Sequence, residues 1–326
     1  MEPQRDRKLT MAAGRVLGVM LIALAVAALF NSEALVRAGE GMQPGTTRDI
    51  LLSVGRPIDD VAGAIGLHLP REGLDLAFGQ EDKTASGTEL EEGSNAILRR
   101  NRRKDEQQSF AQPTPENPLQ VLVAGDSQAE FIGQRLIDQS PPGLLEVETA
   151  ARNATGLTNP AFFNWEINAE QEVATREPDA VVMAIGGNDG FNVQTRDGSI
   201  YNPGDPGWET EFARRVAVVS SVLSGNGRRP VYWVPPPTAR DPKFNEIFTS
   251  QNRAVERATD SVPALRYVDL YSTLNGGRYS DDLVIDRKRV LARQPDGIHF
   301  TRDGAVAAVR LILDSMAADF PALRAR

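Results

Sequence analysis

There is no cysteine among the 326 residues, which excludes disulfides and thiolate metal sites. That absence leaves the compartment open, because exported bacterial proteins often lack cysteine. Only two histidines are present, His68 and His299, so no mechanism needing several imidazoles is available. A basic surplus is missing too. Lys and Arg number 36 against 44 Asp and Glu, the net charge is −8, and the pI is about 5.1. No nucleic-acid partner is expected from that balance. Internal repeats are absent as well. What is present suffices for a core, since 41% of the chain is hydrophobic.

The one long apolar run is residues 16–30, "VLGVMLIALAVAALF", behind Arg5, Arg7, Lys8 and Arg15. At about 1.5 Å per residue it falls short of a full bilayer core unless its flanks extend it. It reads as a transmembrane anchor or as the apolar region of a signal peptide. No convincing small-x-small cleavage site follows, which favours the anchor. The basic residues 1–15 would stay cytoplasmic and send the rest outward, to the periplasmic or cell-envelope side. A buried helix of a soluble protein is the alternative, and the position behind a basic flank argues against it.

Residues 31–80 carry short amphipathic pieces, with helical spacing at Ile50, Leu51, Val54, Ile58, Val61 and Ile65, and predict a juxtamembrane helical region. Residues 81–117 are polar, charged and proline-ended, and predict a disordered linker. Its "RRNRRK" cluster is flanked by acids and reads as a solvated charge run. From 118 to 326 the texture turns regular. Strand-like "LQVLVAG", "LLEVETAA", "DAVVMAIGG", "RPVYWVP" and "LRYVDLY" alternate with helix-like segments. Five strands alternating with helices predict an α/β domain with a doubly wound, mostly parallel sheet.

In such sheets ligands bind beyond the carboxyl ends of the strands. The loops at that edge hold Gly125-Asp126-Ser127, then a segment pivoting on Gly156, then Gly186-Gly187-Asn188-Asp189. A triple proline at 235–237 follows, and lastly Asp296-Gly297-Ile298-His299. This set suits nucleophilic acyl transfer. A serine hydroxyl needs a base to take its proton, and His299 is the only imidazole in the domain. Asp296 would accept the other ring N–H and fix the tautomer. The Ser127 amide, the Gly156 amide and the Asn188 side chain are candidate donors to an oxyanion.

These blocks, "AGDSQ", the Gly156 loop, "GGND" and "DGIHFT", resemble in matching order the four sequence blocks of the SGNH (GDSL-type) hydrolases. The likeness spans 119 to about 318. It implies a flavodoxin-like five-stranded parallel sheet, no metal and no cofactor. It also implies Ser127 as nucleophile, His299 as base, Asp296 as its orienting partner, and Ser127, Gly156 and Asn188 as the oxyanion hole. "TGLTNPAFFNW", with the anchor and linker, is similar to a membrane-anchored bacterial branch of poorly defined function, associated with O-acylation of envelope polysaccharides. The expected activity is a serine esterase or O-acyltransferase on small acyl, such as acetyl, esters of envelope glycans. Its expected partners are the ester or glycan substrate, the membrane, and a membrane acyltransferase that delivers acyl groups.

Plainer readings compete at each position. Taken alone, Ser127 reads better as a helix cap, with Glu130 completing a capping box. Asp126 shapes a turn, and Asp189 bonds its own loop. Gly156, Gly186 and Gly187 suit simple turns. Phe162, Phe163 and Trp165 either line an acyl pocket or pack the start of a helix. His68 is a surface or packing residue. For the whole domain, the competing reading is a non-catalytic envelope-binding or scaffolding module that keeps the fold. The common placement of the polar loops on one rim favours catalysis.

Overall fold

The computed structural model describes residues 46–64, 110–195 and 198–324, together with Ser32 and Val36. The chain divides into two compact units, Met1–Thr84 and Ala85–Arg326. In the first, α1 spans Thr46–Ala64 with Pro57 inside it. It lies within the region where the spacing predicts a helix. Three members of the expected apolar stripe, Ile50, Val54 and Val61, are exposed, whereas Leu52 is buried. The apolar run at 16–30 lies outside the described residues. Among the described residues no helix is long and apolar enough to cross a membrane.

The second unit holds strands β1 (Leu119–Gly125), β2 (Leu145–Ala151), β3 (Ala180–Ala184), β6 (Val231–Val234) and β7 (Leu265–Tyr267). They form one parallel sheet in the order β2-β1-β3-β6-β7. With the two small hairpins set aside, this is the flavodoxin-like order 2-1-3-4-5. Helices α2 (Ser127–Gln139), α3 (Trp165–Arg176), α4 (Pro206–Leu223), α5 (Pro242–Thr259) and α7 (Ala305–Asp319) connect and flank it, with a one-turn α6 at Leu270–Thr273.

Side-chain alternation explains the double winding. Val121 and Val123 of β1, Val182 of β3 and Tyr232 of β6 pack on one face with Ile132 and Leu136 of α2 and Val309, Ile312 and Met316 of α7. Leu122, Val181, Met183 and Trp233 point the other way, into Ala169 of α3, Phe212 and Val216 of α4 and Val255 of α5. A strand covered on both faces must be apolar at every position. β3, "AVVMA", is buried throughout for that reason. On the second face Trp208 stacks on Phe212 with ring centroids 4.9 Å apart, and its indole N–H reaches the Phe191 carbonyl at 2.9 Å.

Two features depart from the sequence-based expectation. The folded unit already includes 110–117: Phe110 packs on Phe320, the Gln112 amide donates to the Asp319 carbonyl, and Thr114 and Asn117 exchange backbone bonds. The domain therefore starts before residue 118, because Phe110 covers the apolar end of the C-terminal helix. The rest of the expected linker, 81–109, lies outside the described residues. Two antiparallel hairpins also interrupt rim loops, β4–β5 (Val193–Gln194, Ile200–Tyr201) and β8–β9 (Asp282–Ile285, Lys288–Leu291). The second turns through Asp286 and Arg287, both left-handed at φ 50° and 64°. That is the backbone of a tight two-residue hairpin, although neither residue is the glycine or asparagine that usually signals one.

Candidate active site

β1 ends at Gly125 with φ +140°, where a Cβ would overlap the Ala184 carbonyl oxygen of β3. Only glycine lets the chain turn this close to its neighbour strand. Asp126 follows as the N-cap of α2, its Oδ1 accepting from the Gln128 amide at 2.9 Å. The cap is therefore Asp126. The capping role considered for Ser127 falls one residue late, and that frees its hydroxyl. The Ser127 amide stands at the first position of α2, where no intrahelical acceptor exists.

The Ser127 Oγ lies 2.6 Å from His299 Nε2, and His299 Nδ1 lies 2.7 Å from Asp296 Oδ2. The other Asp296 oxygen accepts the Ile298 and His299 amides at 2.9 and 3.0 Å. Burial raises the Asp296 pKa, but those two amides and the His299 ring overcome it, and the net shift is downward. Asp296 is thus an ionised, acceptor-only group, so Nδ1 must carry the ring proton. In the neutral ring Nε2 is then the nitrogen without a proton, and it faces the serine hydroxyl, the arrangement a general base requires.

The remaining rim loops are laced together by two buried carboxyls. Asp126 Oδ2 accepts the Gly186 and Gly187 amides at 3.0 and 2.9 Å. Burial raises its pKa against those bonds and the Gln128 amide. Asp189, expected to serve its own loop, reaches across to the Gly156 loop. Its Oδ1 accepts the Thr158 amide at 2.7 Å and the Thr158 hydroxyl at 3.0 Å. Burial, against those bonds, pushes Asp189 up to about 7, and the nearby Asp126 charge adds to it. Gly156 sits directly over this carboxyl, since a Cβ there would overlap Asp189 Oδ1.

The Asn188 amide donates to the Thr155 carbonyl at 3.1 Å and, at a longer 3.4 Å, to Asp126 Oδ2. As an oxyanion donor it must give up the weaker of these. Trp165 is buried and donates to Thr155 Oγ1 at 3.1 Å, with Phe163 edge-on to it at 5.1 Å. The packing reading holds for both, whereas Phe162 is exposed. The structure thus brings together Ser127, His299 and Asp296, and ties the Gly156 and Asn188 loops to the same corner. Among the described residues no cluster of His, Cys, Asp or Glu is arranged to hold a metal ion. His68 lies outside them.

Sequence reasoning missed the residues beneath the His299 turn. Arg240 donates to the Pro295 carbonyl at 2.6 Å and pairs with Asp281, which also accepts the Tyr279 hydroxyl. Arg293 is buried under the same turn. Nothing local marks either arginine, because each acts on a segment that only folding brings near.

A family model described as "Protein of unknown function (DUF459)" matches residues 120–315. No curated protein matches the chain. Among solved structures, a Slackia heliotrinireducens protein described as a candidate SGNH hydrolase is 20% identical at a TM-score of 0.42, covering 61% of this chain and 100% of that one. An acetyl xylan esterase is 17% identical at 0.42, covering 60% and 98%. A salicylyl-acyltransferase from a tetracycline biosynthetic pathway is 13% identical at 0.38, covering 65% and 57%. Likenesses this distant leave the chemistry to the site's own geometry.

Proposed function

This chain belongs to the DUF459 family, an SGNH-hydrolase-like family, and from that premise we propose that it is a serine esterase or O-acyltransferase working through an acyl-enzyme. The observation that carries the reading is the unbroken hydrogen-bond chain Ser127–His299–Asp296, at 2.6 and 2.7 Å. Ser127 Oγ attacks the acyl carbonyl carbon while its proton passes to His299 Nε2. Asp296 stabilises the imidazolium that forms. The carbonyl oxygen becomes an oxyanion held by the Ser127 and Gly156 amides and by Asn188. Collapse breaks the ester bond, and the leaving alcohol takes the proton from His299. Water, or a sugar hydroxyl, then repeats the sequence in reverse and frees Ser127. Both acceptors use the same groups, and the outcome depends on how well the pocket holds a sugar against water.

The substrate we propose is a small acyl ester, acetyl above all, on an envelope glycan. On this reading the domain works outside the cytoplasm, tethered by residues 16–30, with a membrane acyltransferase as the acyl source. What supports the placement is the apolar run behind its basic flank. A tether of this kind raises the effective concentration of domain and membrane substrate.

A fluorophosphonate serine probe tests the core of the proposal on the full chain. Wild type is expected to label at neutral pH and Ser127→Ala to remain unlabelled. An inert wild type, or equal labelling of the variant, overturns it. Incubation with a short acyl ester, with and without a glycan acceptor, then separates transfer from hydrolysis by whether acylated glycan or only free acid appears.

A further inference from the structure

Arg293 lies between β9 and the Asp296–His299 turn and is only 4% exposed. Its Nη1 donates to the Ile298 carbonyl at 2.9 Å and its Nη2 to the Thr238 carbonyl at 3.2 Å. The guanidinium carbon rests 4.2 Å from the Phe300 ring centroid. Among the described residues no carboxylate lies within ion-pair distance of it. Burial pushes its pKa down to about 10, against the Asp296 and Asp281 charges, so the group stays cationic at neutral pH. Burying a charge with no carboxylate in direct contact is costly, and an apolar side chain would fill the same space without that cost. The position therefore has a use for a charged, forked donor.

The bonds show the use. Ile298 C=O and His299 N–H belong to one rigid peptide plane and point in opposite directions within it. Arg293 holds the carbonyl end, and Asp296 Oδ1 holds the N–H end at 3.0 Å. The second arm of the fork anchors this plane to Thr238, in the loop that leaves β6. The backbone adds a further tie, with the Gln294 amide on the His299 carbonyl at 2.8 Å. We propose that Arg293 is a positioning residue: with Asp296 it grips the Ile298–His299 peptide from both sides and so keeps the imidazole in line between Asp296 and Ser127. The alignment stands on geometry, while its effect on rate rests on the serine reading above.

The experiment uses the full chain carrying His68→Gln, which leaves His299 as the single imidazole. Nitrogen-15 NMR of that ring reports which nitrogen bears the proton. In the Arg293-intact protein the proton is expected on Nδ1 alone. Arg293→Met, which keeps length and loses the donors, is expected to mix the two tautomers and to slow fluorophosphonate labelling about 10–100-fold. Arg293→Lys keeps the charge but offers a single nitrogen in place of the two that bond the Ile298 and Thr238 carbonyls, and is expected to fall between the two. In turnover of a short acyl ester the loss should sit in kcat, with KM unchanged. A folded Arg293→Met with the intact tautomer and rate overturns the proposal. If that variant fails to fold, Arg293→Lys decides: an unaltered tautomer and rate overturn it equally. Should the parent protein not label at all, the serine reading falls, yet the NMR comparison still judges Arg293.

Discussion

Ser127 Oγ and His299 Nε2 stand 2.6 Å apart although 172 positions separate them in the chain. The contact joins the corner after β1 to the turn that precedes the last helix of the sheet, α7. It exists because β1 and the segment after β7 deliver their carboxyl ends to one rim.

Asp296→Asn tests how much the contact owes to its third member. The amide can offer an N–H where the carboxylate only accepted, which turns the His299 ring to the tautomer that places a proton toward Ser127. Turnover of a short acyl ester is expected to fall about 10³–10⁴-fold while the fold survives. An unchanged kcat would remove Asp296 from the mechanism.

Gly156→Ala forces a methyl into the space of Asp189 Oδ1. The expected loss of stability is about 1–3 kcal/mol, as for other overpacked sites, read from urea unfolding. Labelling of Ser127 should fall as well, since the displaced loop carries a candidate oxyanion donor. The two substitutions Gly156→Ala and Asp189→Ala should be non-additive, because Asp189→Ala removes the carboxyl that the added methyl would meet.

Asp189 predicts a pH dependence of stability whose sign is fixed. In the fold it keeps its proton up to about 7, whereas its ordinary value is 3.8. Between those values the unfolded chain binds fewer protons, so rising pH removes about 1.4 kcal/mol per unit through this group. Its stabilising contribution is whole at acid pH and spent above neutrality. Asp189→Asn does not titrate. Its stability relative to wild type should therefore improve from about pH 5 to about pH 8, measured by urea midpoints at each end. A constant difference would show that Asp189 is ionised throughout.

Trp208 is fully buried against Phe212 on the sheet face away from α2. Trp208→Ala is expected to cost about 3–5 kcal/mol in urea unfolding, the usual loss for a large aromatic in a core. Its indole N–H holds the Phe191 carbonyl, two residues past Asp189 in the loop that carries Asn188, so the fraction that remains folded should label more slowly than wild type. An unchanged rate at full folding would separate that face from the site.

Much of the fold was legible before folding because its signals are local. Continuous apolar strands, amphipathic helices and the polar loops between them reveal a doubly wound sheet, and a parallel sheet must gather its carboxyl-end loops on one rim. Residues 16–30 and their basic flank are equally local, and they lie outside the described structure. The hairpin at Asp282–Leu291 escaped notice because its turn uses Asp286 and Arg287, which carry no strong turn signature.

Of the candidate site, the residue types and their order along the chain came from sequence, and the partners came from tertiary structure. Sequence alone supplied one imidazole, one serine on a strand-to-helix corner and one nearby aspartate, and so determined which chemistry was available. Folding decided that Asp126 caps α2 in place of Ser127, that Asn188 bonds Thr155, and that Asp189 supports the Gly156 loop. It also decided that Arg293 lies under His299. The reason is physical. A buried polar group must find a partner wherever the packed chain offers one, and strand order rather than sequence distance sets which loops are close enough to offer it.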